Sequence, residues 1–341
     1  MLITTILALS LISMSSFAPV AAAGPGPAPQ TRTFEFTYRA QIAKVPEGTR
    51  ELRIWLPNPS SDAHQEIYDM QVSSLSQAVV YKEPRYGNSV LFISVPSPTE
   101  LPITVEMKFK VRRSEYIRRD FGSIKTVSSG RLDPEVAAML QPDRLVPISD
   151  RIKNLAAEVT AGKTTDLQKA RAIYDYTLAN MRYDKSGEGW GRGDIMFACD
   201  AKHGNCTDFH ALFIGLCRAS GIPAKFSIGF SIPDAHGEAD IPGYHCWAEF
   251  YLRDYGWVPV DASEAWKHPE KREYFFGAHD QNRLQLSTGR DLVLVPKQAG
   301  DPLNYFVYPY AEADGKPLDS QSLKSHFHYK DLDPPALTKA S

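Results

Sequence analysis

Gly204-Asn205-Cys206-Thr207-Asp208 opens an apolar-patterned stretch that runs to Ser220 and stops at Gly221, with Pro223 just beyond. Phe209, Leu212, Phe213, Leu216 and Cys217 recur at three- and four-residue steps. The spacing predicts an amphipathic helix from Cys206 to Ser220, with Cys217 on its core face. Cys206 then stands at the helix N-terminus. The unpaired N–H groups and partial positive charge there favour a thiolate over a thiol, whose ordinary pKa is about 8.5. Gly204 permits a tight turn into the helix.

Two later stretches supply partners. In Gly243-Tyr244-His245-Cys246-Trp247-Ala248-Glu249, period-two alternation puts His245, Trp247, Glu249 and Tyr251 on one face of a strand. Cys246, Ala248, Phe250 and Leu252 take the other, apolar face. His245 and Trp247 are therefore expected to line a cleft. Tyr255-Gly256 marks a hairpin, and Gly256-Trp257-Val258-Pro259-Val260-Asp261 is the returning strand. Antiparallel pairing brings the end of that strand, Asp261, beside the start of the first, His245. Cysteine, histidine and aspartate in that order outline a thiol acyl-transfer site. The imidazole takes the thiol proton and later protonates the leaving group, and the carboxylate holds the imidazole's tautomer. Asp261 also fits a helix N-cap.

Two competing motifs lie nearby. Cys199, His203, Cys206 and His210 form a C-x3-H-x2-C-x3-H run of zinc-type ligands. It lacks paired ligand spacing, and the helical pattern continues straight through it, so no metal and no cofactor are expected. The glycine-rich 187–193 lacks the Gly-Lys-Ser/Thr ending and preceding strand of a phosphate cradle. It is expected to bring its backbone close to a site. All four cysteines fall between 199 and 246, and a bridge such as Cys199 to Cys246 stays open.

Outward from this centre, residues 33–111 carry short alternating runs separated by turn signals, as in Ile103-Thr104-Val105-Glu106-Met107. An all-β sandwich-like domain is expected there. Residues 112–147 read as a connection and 148–312 as an α+β domain, with helices starting near Ser149 and Asp166 as their caps. Strands are expected at 224–230, 245–252, 257–261, 292–295 and 305–308, and a turn, an edge strand and a loose tail over 313–341. Residues 1–23 are uncharged, apolar and end in Ala21-Ala22-Ala23, which reads as a signal peptide, followed by a flexible linker over 24–32. A secreted or periplasmic protein follows, with an uncleaved N-terminal anchor as the other reading of 1–23. No later segment is apolar enough to span a membrane. The formal net charge of −2 is interspersed, so nucleic acid is not an expected partner.

With these motifs in place, about 165–265 resembles the transglutaminase-like superfamily of papain-type thiol enzymes. The likeness rests on Gly204 to Phe209, Arg218-Ala219-Ser220-Gly221-Ile222-Pro223-Ala224, Tyr244 to Glu249, and Gly256 to Asp261. It implies an α+β catalytic core, Cys206, His245 and Asp261 as the catalytic residues, and a protein or peptide substrate with water or an amine as acceptor. An oxyanion hole would use the Cys206 N–H, with Asn205, Tyr183 or Trp190 as candidates for a second donor. Crosslinking members read Gly-Gln-Cys-Trp where this chain has Gly204-Asn205-Cys206-Thr207, so glutamine–lysine crosslinking is not implied. Nor is calcium, since no acidic loop suits it. The alternative is a non-catalytic binding module of the cell envelope, against which the Cys-His-Asp order stands.

Overall fold

The computed structural model describes residues 28–123 and 131–332. The expected signal peptide, and the linker up to residue 27, lie outside them. Six strands come first: Thr31–Ile42 (β1), Glu51–Asn58 (β2), Gln65–Ser73 (β3), Ala78–Lys82 (β4), Ser89–Pro96 (β5) and Ile103–Ser114 (β6). Period-two burial along β1 and β6 puts Phe34, Phe36, Tyr38, Val105, Met107 and Phe109 into one core with Leu52, Ile54, Leu91 and Ile93 of β2 and β5. Two sheets therefore pack face to face.

Tyr116–Ile117 (β7) leads to the helices Pro134–Ala138 (α1), Asp150–Val159 (α2) and Asp166–Asn180 (α3). Ser149 is the N-cap of α2 by position, but its side chain makes no capping bond. In α3 the cap is Thr165 rather than Asp166, because Thr165 and Gln168 form a reciprocal capping box. Arg182–Tyr183 (β8), Ile195–Ala201 (α4) and His203–Gly204 (β9) precede Cys206–Ala219 (α5). Thirteen of the fourteen residues of α5 are buried, so it is a central helix and not the amphipathic one expected. The sheet packs on one side of it and α2, α3, α4 and α6 (Ala262–Lys267) surround the rest.

The remaining strands are Ala224–Ser231 (β10), Glu238–Asp240 (β11), His245–Leu252 (β12), Gly256–Val260 (β13), Ala278–His279 (β14), Arg283–Thr288 (β15), Tyr310–Ala313 (β16), Lys316–Pro317 (β17) and Leu323–Asp331 (β18). An antiparallel sheet runs in the order β13-β12-β10-β15 and carries α5. Its outer strand β15 is covered by two amides of the β-sandwich. Gln65 and Asn88 each bond both backbone groups of one residue, Gln285 and Thr288 respectively, at 2.8–3.0 Å. They satisfy donors and acceptors that a bare sheet edge would leave open.

Two expectations are corrected here. Segments 292–295 and 305–308 are not strands. Leu292, Leu294 and Phe306 instead cover the outer face of Trp55, whose indole N–H donates to Pro296 O at 2.9 Å. Of the turn, edge strand and loose tail expected over 313–341, the strand is Leu323–Asp331, flanked by β1 and the short β11 rather than lying at an edge. Residues of β18 pair with β1 from Leu323 to Asp331, and β16 pairs with β2, so the C-terminal strands complete both sandwich sheets. Buried Arg32 locks this closure, bonding both carboxylate oxygens of Asp331 at 2.8 Å. Among the described residues no helix is long and apolar enough to cross a membrane.

Candidate active site

The pentapeptide builds its own helix start. Asn205 is the N-cap, and its Oδ1 accepts the Thr207 N–H at 2.9 Å. Asp208, three residues on, accepts the Asn205 N–H at 2.9 Å and closes a capping box. The same carboxylate accepts the Gly191 and Gly193 N–H groups at 2.7 and 3.0 Å. The glycine-rich loop is thus tied by its backbone to the first turn of α5. Gly204 has φ +154°, and a Cβ there would lie 2.2 Å from Asp208 Oδ2.

Cys206 occupies the first helical position and is 1% exposed. His245 begins β12, and Asp261 follows β13 as the N-cap of α6. The His245 Nε2–H donates to Asp261 Oδ2 at 2.7 Å, as hairpin pairing implied. Asp261 divides its work. Its Oδ1 caps α6 through Ser263 Oγ and the Glu264 N–H, both at 3.0 Å, while Oδ2 receives His245 and Arg283 Nη1. With Nε2 engaged, the other ring nitrogen of His245 is left for the Cys206 thiol, which hydrogen-bonds to the imidazole.

Burial works against every charge in this group, and mutual pairing reverses it. Burial raises the Cys206 thiol, but hydrogen bonds with Cys246 and His245 and the His245 charge bring it well below the usual thiol value. Burial lowers His245, but the Asp261 charge and hydrogen bond, with Cys206, push it up to about 10. Asp261 stays well below the usual carboxylate range through His245 and Arg283 despite its burial. The arrangement holds a thiolate beside an imidazolium, which is what nucleophilic attack and leaving-group protonation require.

The other expected residues divide. Tyr183 pairs in parallel register with Gly204, which sets it beside the thiol. Its hydroxyl makes no hydrogen bond among the described residues, and burial followed by the Cys206 charge raises its pKa. Asn205 instead turns its amide to the Tyr244 hydroxyl at 2.9 Å. Trp190 donates its indole N–H back to Gly187 O at 3.2 Å. Trp247 is wholly buried rather than lining a cleft, with Arg283 over its ring at 5.0 Å and His279 against its edge. Both faces of β12 are covered, so alternation did not mark an open face.

The zinc reading fails on geometry. The His210 Nδ1–H donates to Cys206 O at 2.8 Å, its Nε2 accepts the Ala262 N–H at 3.2 Å, and His203 donates to Asp184 O. Those rings are spent on backbone. Among the described residues no three His, Cys, Asp or Glu side chains are arranged to hold a metal. All four cysteines are free, so the Cys199–Cys246 bridge is absent. Sequence reasoning missed three contributors: Arg283, His210 as a neutral strut, and Cys246, whose Sγ lies 3.6 Å from His210 Nδ1. A cavity of about 550 Å³ bounded by Leu167, Arg171 and Phe276 contains none of Cys206, His245 and Asp261.

The site is thus a buried Cys-His-Asp cluster on an α+β core. The family model of the transglutaminase-like superfamily matches residues 153–262, which include all three side chains. Over that segment the chain is similar to the transglutaminase-like superfamily. An uncharacterized protein of Haemophilus influenzae is 27% identical over 332 residues, covering 87% of this chain and 90% of that protein. The uncharacterized protein YebA of Bacillus subtilis is 25% identical over 145 residues, 38% of this chain and 19% of that protein. Among solved structures, a proposed cysteine protease from Cytophaga hutchinsonii superimposes with a TM-score of 0.62 at 18% identity. It covers 89% of this chain and 92% of that one, which shows a shared fold across the β-sandwich as well as the core.

Proposed function

We propose that the chain is an exported thiol enzyme that cleaves an amide or peptide bond through an acyl-enzyme on Cys206, resolved by water or an amine. The observation that carries this reading is the 2.7 Å bond between His245 and Asp261 beside a Cys206 thiol that bonds the same imidazole. The thiolate attacks the carbonyl carbon. The imidazolium gives its proton to the departing nitrogen, which leaves the acyl group on sulfur. His245, now neutral, takes a proton from water or an amine as it attacks, and the thiolate is regenerated.

The negative charge on the carbonyl oxygen needs donors. The Cys206 N–H, at a helix position that lacks an intrahelical partner, is one. Tyr183 is the second, since its hydroxyl is uncommitted while Asn205 and Trp190 have given theirs elsewhere. The name of the Cytophaga hutchinsonii protein agrees with peptide-bond chemistry. Export rests on the apolar, uncharged 1–23.

Iodoacetamide labelling with peptide mapping tests the nucleophile. Near pH 6, Cys206 is expected to react faster than the more exposed Cys199, and to slow in His245→Ala. Equal rates at all four cysteines, unchanged in that variant, would overturn the reading.

A further inference from the structure

Cys246 is a buried thiol that the proposed reaction does not use. It sits one residue after His245 at the start of β12, and β12 packs directly on α5, whose first residue is Cys206. The two thiols hydrogen-bond to each other. His210 sits behind them, its Nδ1 at 2.8 Å from Cys206 O and 3.6 Å from Cys246 Sγ. The Ala262 N–H on Nε2 fixes the tautomer, so the Nδ1–H donates to Cys206 O with the Cys246 sulfur close by. Two cysteines that share one imidazole nitrogen, one at a helix start and one at a strand start, are placed as an attacking and a resolving pair are.

We propose that Cys206 and Cys246 form an intramolecular disulfide when the protein meets a peroxide, and that a dithiol reverses it. In the first step the Cys206 thiolate attacks a peroxide oxygen. An S–O bond forms, the O–O bond breaks, and the departing hydroxide is protonated to water. Cys206 is oxidised by two electrons to the sulfenic acid as the peroxide is reduced. In the second step the Cys246 sulfur attacks the Cys206 sulfur. The S–S bond forms, the S–O bond breaks, and the hydroxide leaves as water with the Cys246 proton. A dithiol restores both thiols by exchange. Burial and the neighbouring Cys206 keep the Cys246 thiol protonated, which makes Cys206 the sulfur that meets the oxidant. The consequence is protection: a sulfenic acid trapped as a disulfide does not advance to the irreversible sulfinic acid.

The loss of activity that follows rests on Cys206 being the nucleophile, but the disulfide does not. The test therefore reads the bond itself. The purified protein is treated with hydrogen peroxide, alkylated in denaturant, digested without reduction and mapped by mass spectrometry. The expected result is joint loss of Cys206 and Cys246 alkylation, a crosslinked peptide pair, and return of both on dithiothreitol, with Cys199 and Cys217 still alkylated. In Cys246→Ser, and in Cys246→Ala should serine impair folding, Cys206 is expected to reach the sulfinic acid and resist dithiothreitol. Oxidised Cys206 with Cys246 still alkylated in the unsubstituted protein would overturn the proposal, as would equal reversibility in both variants.

Discussion

Arg283 Nη1 stands 3.0 Å from Asp261 Oδ2, the same oxygen that accepts the His245 Nε2–H. The guanidinium is 2% exposed and also bonds Asp280 Oδ2 at 2.8 Å. It therefore helps keep Asp261 ionised in a buried site, and Asp261 in turn keeps His245 protonated. Arg283→Met leaves two buried carboxylates short of a cation, with an expected cost of about 3–5 kcal/mol. Asp261 stays ionised at that pH, and loss of a neighbouring cation favours the imidazolium, so the alkaline edge of the activity profile, set by His245 near 10, is expected to move up. Arg283→Lys keeps the charge and should retain more of both. Thermal unfolding together with the pH profile checks this, since a purely structural Arg283 would change stability and leave the profile in place.

The paired pKa shifts give different profiles for two measurements. Alkylation of Cys206 needs only a thiolate, so its rate should be flat from mildly acidic pH upward. Turnover also needs the imidazolium, so it should fall again as pH rises through about 10. The His245 contribution to stability is fully present below its ordinary 6.5 and is lost as pH rises through about 10. The Asp261 contribution runs the other way. It is present above the ordinary carboxylate range and lost as pH falls through the lower folded value. In His245→Ala the flat alkylation region should vanish and the Cys206 pKa move up. Rates against pH for both proteins check it.

Tyr183→Phe removes one hydroxyl and little else, because that hydroxyl bonds no described residue. Loss of one oxyanion donor costs about 10²–10³-fold in kcat. The expected signature is that loss with KM and melting temperature nearly unchanged. A variant that melts lower while keeping its kcat would make Tyr183 a packing residue.

Gly204→Ala tests the helix start. A Cβ there would lie 2.2 Å from Asp208 Oδ2 and 2.6 Å from its Cβ, on a backbone with φ +154°. Asp208 has to move, and with it the caps on Asn205, Gly191 and Gly193. Each buried backbone N–H left unpaired costs about 1–3 kcal/mol. The variant is expected to be less stable and to lose activity; hydrogen exchange at 191, 193 and 205 should rise together.

Local signals carried most of what the sequence revealed. The α5 start was legible because a cap and a glycine are nearest-neighbour features, and the meeting of His245 and Asp261 because one hairpin makes it. Asp208 as a capping-box residue was open to the same reasoning. Arg283 was not, since a lone arginine in an alternating strand has no mark of the carboxylate it reaches. Leu292 and Leu294 read as strand because an apolar run shows burial without showing what it covers, here the outer face of Trp55. Trp247 was misplaced because alternation assumes one open face, and Arg283 and His279 close it. The role of 323–331 depends on pairing with β1 almost the whole chain away, which periodicity does not encode.

Intact-mass and peptide-level mass spectrometry of the protein mixed with peptide substrates, with and without a primary amine, tests the central claim most directly. The expected result is an acyl adduct on Cys206 that accumulates before product, is absent in Cys206→Ala, and decays faster when added amine appears in the product or at the same rate when water alone resolves it. Turnover of the same peptides with no adduct on Cys206, or undiminished turnover in Cys206→Ala, would contradict it.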